Sequence, residues 1–201
     1  MPAGSKETVI DLLRHGEPVG GRRYRGQQDD ALTERGWQQM WQAVGSRSEW
    51  RQIVTSPLQR CHAFAHAFGE RHGVPVESES RFAEVGFGDW EGKTRAELET
   101  LIEGQVTRFY QDPVTNRPPG AEPLNDFVTR VRDGFNTLLT NYAGQSVLVV
   151  AHAGVIRAII SHVLAMPPAA MYRINVANAG MTRLLTDRER TFNLISHGGN
   201  N

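Results

Sequence analysis

Two strand-like runs far apart in the chain end the same way. The first is "VIDLLRHGEP", residues 9–18, and the second is "SVLVVAHAGVIR", residues 146–157. Apolar stretches of this length, with little alternation, read as strands buried on both faces, as in the parallel sheets of α/β proteins. An imidazole at the carboxyl end of such a strand is poorly placed for a core. It is well placed for a site, because ligands of open α/β sheets bind outside the carboxyl ends of the strands.

The remaining periodicity agrees with this class. Strands are expected over 9–13, 52–55, 75–77, 146–151, 173–177, 182–186 and 191–195. Helices are expected over 34–45 with Thr33 as N-cap, from Pro57 onward, over 125–142, and from Gly154 to before Pro167-Pro168. Ser56-Pro57-Leu58-Gln59 has the pattern of a capping box. Strands alternating with helices imply an α/β fold with a mainly parallel sheet, and the last strands suit an antiparallel edge. Between about 86 and 123 the chain turns rich in Gly, Pro, aromatic and charged residues, with short helical patterns over 94–102 and 105–110. This segment reads as a cap-like insertion within a single domain spanning 1–201. The tail Gly198-Gly199-Asn200-Asn201 is expected to be disordered.

Three strand ends supply chemistry. The first carries Arg14, His15 and Gly16, and the second leads to Arg60 in the first turn of the following helix. The third carries His152, Ala153 and Gly154. Two arginines, two histidines and two helix N-termini converging on one edge suit a compact dianion, of which phosphate is the best fit. Arginine stays protonated and cannot act as a base, so the histidines hold the chemistry: one as nucleophile, the other balancing charge. A leaving alkoxide needs a proton donor, and Glu84 in "RFAEVGFGDWEG" is the candidate. A carboxyl group beside a dianion retains its proton more readily, which suits a general acid.

These stretches resemble the histidine phosphatase superfamily, the phosphoglycerate mutase-like proteins. "LLRHGE" matches its RHG signature and "TSPLQRC" its second arginine block. "EVGFGDWEG" matches the acid block and "VVAHAGVIR" the second-histidine block, all in family order. "PPGAEP" is similar to the family's Pro-Gly-Gly-Glu loop, with Ala121 in place of the second glycine. The resemblance implies a three-layer α/β/α sandwich without metal or cofactor. It implies His15 as a nucleophile that becomes phosphohistidine, Arg14, Arg60 and His152 as holders of the phosphoryl oxygens, and Glu84 as proton donor. Gly16 is expected to permit a sharp turn and leave room for phosphate. Within the superfamily, "RGQQDDALTERGWQQM", "SPLQRC", "FGDWEG" and "DPVTNRPPG" resemble bacterial α-ribazole phosphatases of the cobalamin pathway.

One departure concerns the loop after the nucleophile. Mutase-type members carry an Asn six residues after the nucleophile, where this chain has Gly21, and the usual Thr-Gly is Arg25-Gly26. Arg22, Arg23, Arg25 or Gln27 can stand in as substrate contacts, with Gly26 and Ala153 beside them, or "GRRYRG" is a solvated loop. Hydrolysis is favoured over a mutase, since the insertion is modest and the chain ends soon after its last strand. An inactive phosphate-binding relative is disfavoured, because all five core residues are present.

Other features bear on class. His62 and His66 stand at i, i+4, the spacing of a zinc pair, but lack the intervening Glu of the metalloprotease motif, so no metal is expected. Trp37, Met40, Trp41 and Val44 form a stripe that is either core or a homodimer face. Phe87, Trp90, Phe109 and Tyr110 either line the substrate pocket or pack the insertion. Zero net charge disfavours a nucleic-acid protein. A single cysteine, Cys61, excludes a disulfide within the chain and suits a reducing compartment. Residues 1–8 lack a signal-like apolar run, and no stretch is long enough to span a membrane. The expected setting is the cytoplasm, and the expected partner a small phosphorylated substrate.

Overall fold

The computed structural model describes residues 7–187 and 191–199. Six strands form one mixed sheet: β1 (Thr8–Arg14), β2 (Gln52–Thr55), β3 (Val76–Ser78), β4 (Ser146–Ala151), β5 (Met181–Thr186) and β6 (Phe192–Gly199). Their order is β3-β2-β4-β1-β5-β6. The first four in that order run parallel, while β5 and β6 form the antiparallel edge. Six α-helices accompany them among the described residues: α1 (Glu34–Val44), α2 (Gln59–His72), α3 (Arg95–Leu101), α4 (Gln105–Gln111), α5 (Leu124–Asn141) and α6 (Ala153–Val163). None is long and apolar enough to cross a membrane.

Strand side chains alternate between faces, and each face has its own helices. On one, Leu13, Ile53, Leu148 and Val150 pack with Met40 and Val44 of α1 and with Phe64 and Phe68 of α2. On the other, Ile10, Leu12, Val54, Val147 and Val149 pack with Phe127 and Phe135 of α5 and with Ile156 and Ile159 of α6. The result is a three-layer α/β/α sandwich. Phe87, Trp90, Leu98, Val106 and Phe109 of the insertion belong to this second cluster, so its aromatic residues mostly pack it onto the sheet. Tyr110 is exposed. Trp37 and Trp41 lie partly buried against Phe64. The acid in the first strand, Asp11, is fully buried yet satisfied: it accepts from Trp50 Nε1 at 2.8 Å and from Arg183 at 2.8 and 2.7 Å.

Several expectations are corrected. No strand forms over 173–177. Residues Pro168–Arg173 make a 3₁₀ helix, and the carbonyls that follow are used by side chains. Arg157 Nε donates to Ile174 O, Arg14 to Val176 O, and a His197 ring nitrogen pairs with Asn175 O. These side chains hold the segment in place of strand partners. Gly198 and Gly199 are not a disordered tail but the end of β6, while Asn200 and Asn201 lie outside the described residues. So do residues 1–6 of the segment searched for a signal. Helix α1 keeps its predicted cap, with Thr33 accepting from Gly36 N at 2.9 Å. Helix α2 does not: its N-cap is Leu58, with no side-chain cap.

Register positions the site. Arg14 on β1 lies opposite Ala151 on β4, so His15 and His152 follow side by side at the carboxyl edge. Thr55 on β2 lies opposite Val150, bringing Ser56 to the same edge.

Candidate active site

The two histidine rings meet edge to face, with centroids 5.3 Å apart. Both are buried, His15 at 5% and His152 at 0% exposure. His15 Nδ1 lies 2.7 Å from the Gly16 carbonyl oxygen. A carbonyl can only accept, so Nδ1 carries the proton and Nε2 keeps its lone pair. Burial holds the His15 imidazole well below its ordinary range, aided by the cations Arg14 and Arg60. The same holds for His152, where burial leads, followed by Arg60 and His15. Both rings are therefore neutral.

Arg60, 1% exposed, reaches back from the first turn of α2. Its terminal nitrogens donate to Gln28 O at 2.6 Å and Gly26 O at 2.9 Å. Arg14 donates to Val176 O at 2.6 Å. Burial lowers its guanidinium to about 10, with Glu84 the only nearby carboxylate opposing that shift. Each of these arginines keeps a buried Nε without a partner. Among the described residues neither forms an ion pair. Removing a cation from water without a counter-ion costs on the order of several kcal/mol, so the pair is arranged for an anion.

Glu84 closes the group. Its oxygens accept from Val85 N at 3.0 Å and Gly154 N at 3.1 Å, the latter at the N-terminus of α6. Its approach requires glycine at 154, since a Cβ there would stand 2.2 Å from Glu84 Oε1. The segment bearing it is clamped by Arg130, which donates to Arg81 O, Ala83 O and Glu84 O and pairs with Glu122 at 2.6 Å. Local sequence signals do not single out Arg130, because its targets lie more than 40 positions away.

The other predicted residues take varied places. Gly16 has no positive φ, and the space its Cβ would fill belongs to Gly36 O, 2.1 Å away. Its smallness lets the first turn of α1 approach the segment after β1 closely. Gly26 does adopt φ +53°, and its carbonyl holds Arg60. Arg25 is spent on its own loop, donating to Asp30 at 2.9 Å, to Val19 O at 2.8 Å and to Gly21 O. Gln27 N donates to Glu91 Oε1 at 3.2 Å. Ala153, 8% exposed, opens α6. The His62 and His66 rings lie 4.1 Å apart and tilted by 39°, and no cluster of three or more His, Cys, Asp or Glu among the described residues is placed to hold a metal.

Residues 10–197 match the model of the histidine phosphatase superfamily, branch 1. The chain belongs to that family. It is 32% identical over 199 residues to a bifunctional protein of Mycobacterium tuberculosis, covering 96% of this chain and 54% of that one. The chain thus spans about half the length of that relative. A mycobacterial glucosyl-3-phosphoglycerate phosphatase superposes with a TM-score of 0.85 at 29% identity, covering 96% of this chain and 99% of that one. An α-ribazole phosphatase from Shigella flexneri gives a TM-score of 0.82 at 24% identity, covering 96% of both chains, and shares the fold.

Proposed function

We propose that the chain is a phosphomonoesterase that hydrolyses a small phosphorylated metabolite through a phosphohistidine on His15. The observation that carries this reading is the pair Arg14 and Arg60, each with a buried Nε and no carboxylate partner, beside a neutral histidine whose Nε2 lone pair is unused. In the first step Nε2 attacks phosphorus, the P–O ester bond breaks, and the leaving alkoxide takes a proton from Glu84. In the second, Glu84 accepts a proton from water as its oxygen attacks phosphorus and releases His15 and orthophosphate. Arg14, Arg60 and His152 hold the phosphoryl oxygens throughout.

The finer choice of substrate rests on the relatives' names and the sequence words. Glucosyl-3-phosphoglycerate and α-ribazole 5′-phosphate are the two leading candidates. The test is orthophosphate release from these two, 3-phosphoglycerate, a mononucleotide and nitrophenyl phosphate. Preference for one by kcat/KM assigns it. Transfer of the phosphoryl group to a second hydroxyl without release to water would replace hydrolysis with a mutase reaction.

Two variants probe the acid. Glu84→Gln is expected to lower kcat about 100-fold or more for alkyl phosphates and far less for nitrophenyl phosphate, whose leaving group needs no proton. Equal losses on both would remove Glu84 from the acid role. Gly154→Ala places a methyl group against the Glu84 carboxyl end, yet alanine favours a helix by about 1 kcal/mol. Thermal melting is expected to change little while phosphate release falls about 100-fold, as for loss of general acid catalysis. Unchanged turnover would show that the carboxyl position is not critical.

A further inference from the structure

We infer that Ser56 is a positioning residue that fixes the tautomer of His152, so that the ring meets the phosphoryl group with a neutral Nδ1–H donor. This rests on the phosphatase reading of the site. Ser56 is fully buried, and its Oγ lies 2.7 Å from His152 Nε2. The same oxygen accepts the Leu58 N–H at 3.3 Å. Were Nε2 protonated, it would donate to Oγ, and both oxygen lone pairs would be filled. The hydroxyl proton would then have no other acceptor among the described contacts, at a site closed to water. With the hydroxyl donating to Nε2, both the hydroxyl and the Leu58 N–H are satisfied, and the donor left over is on the ring. Nδ1 then carries the proton.

Nothing else claims that proton. Cys61 Sγ lies 3.7 Å from Nδ1 and 3.6 Å from Nε2, but this thiol is directed to Ala151 O at 3.3 Å. Burial pushes the Cys61 thiol up, so it stays protonated and attracts no cation. The two histidines thus share one tautomer and use it in opposite senses. His15 turns its N–H to Gly16 O and keeps a lone pair for phosphorus. His152 turns its lone pair to Ser56 and keeps an N–H for phosphoryl oxygen.

The test reads the ring nitrogens of His152 by long-range ¹H–¹⁵N correlation in the ligand-free protein, with His152→Asn for assignment. The expected wild-type result is a protonated Nδ1 and an unprotonated Nε2, with the Nδ1–H signal moving on addition of orthophosphate. Ser56→Thr should retain this tautomer. Ser56→Ala should mix the two forms and weaken orthophosphate inhibition about tenfold, as for a buried polar group left unpaired. A protonated Nε2 in wild type, or an unchanged tautomer in Ser56→Ala, would overturn the inference. The tautomer is read without turnover, so a protein with the expected spectrum that hydrolyses no phosphomonoester would overturn the phosphatase reading and leave Ser56 its role.

Discussion

His15→Ala is expected to lower kcat for phosphate release by at least about 10⁴-fold, the scale for loss of an enzymatic nucleophile. It should also abolish acid-labile labelling of the protein by a phosphorylated substrate, because no other buried nitrogen presents a lone pair at the edge of β1. Full activity in this variant would refute the covalent mechanism. The variant carries a second signature in pH. The folded protein holds His15 neutral well below the ordinary range, through burial and then Arg14 and Arg60, while the unfolded chain takes up a proton near pH 6.5. The unfolded state then binds more protons, so stability falls as pH drops below about 6.5. His152, shifted the same way, adds to the slope. Melting temperatures at pH 7 and pH 5 should differ less in His15→Ala than in the wild type.

Arg60→Ala is expected to reduce kcat/KM by about 100-fold or more, equivalent to about 3 kcal/mol of lost transition-state stabilisation. Its direct reading is thermal. Orthophosphate binding only the folded protein should raise the melting temperature of the wild type, and this rise should vanish in the variant. Arg60→Lys should not restore it, since an ammonium cannot reach Gly26 O and Gln28 O while also presenting a planar donor edge. A persisting phosphate-dependent rise in Arg60→Ala would place the anion elsewhere. The ligand-free variant also sheds an unpaired buried cation, so its own stability should suffer less than removal of a fully buried side chain of this size would suggest.

Much of the arrangement was legible because strand ends are local signals. Apolar runs located β1, β2 and β4, and the rule that open α/β sheets bind ligands outside the carboxyl ends of their strands brought His15, Arg60 and His152 to one edge. What escaped reading depended on partners distant in sequence. Ser-Pro-Leu-Gln has the composition of a helix start, yet Ser56 turns to His152, 96 positions away. Gly16 reads as a turn glycine, but its constraint comes from the backbone of Gly36. The segment after Arg173 has strand-like alternation, and no local rule shows that Arg14, Arg157 and His197 take its carbonyls. The loop "GRRYRG" left substrate contact and a solvated loop both open, and the donations of Arg23 and Arg25 mainly to main chain depend on carbonyls that no local rule selects.

The sheet order also sets when the protein becomes competent. β1 precedes every other strand in the chain, but its neighbours are β4 and β5, made more than 130 residues later, with Val9 facing Ser146 and Thr8 facing Thr186. At a synthesis rate of about 5–20 residues per second, the first strand waits many seconds for a partner. A nascent chain that already contains His15, Arg60 and Glu84 has no edge on which to assemble them. Pairings of such long sequence separation also form slowly. The edge that groups His15, Arg60 and Glu84 is therefore absent until β4 and β5 have been made.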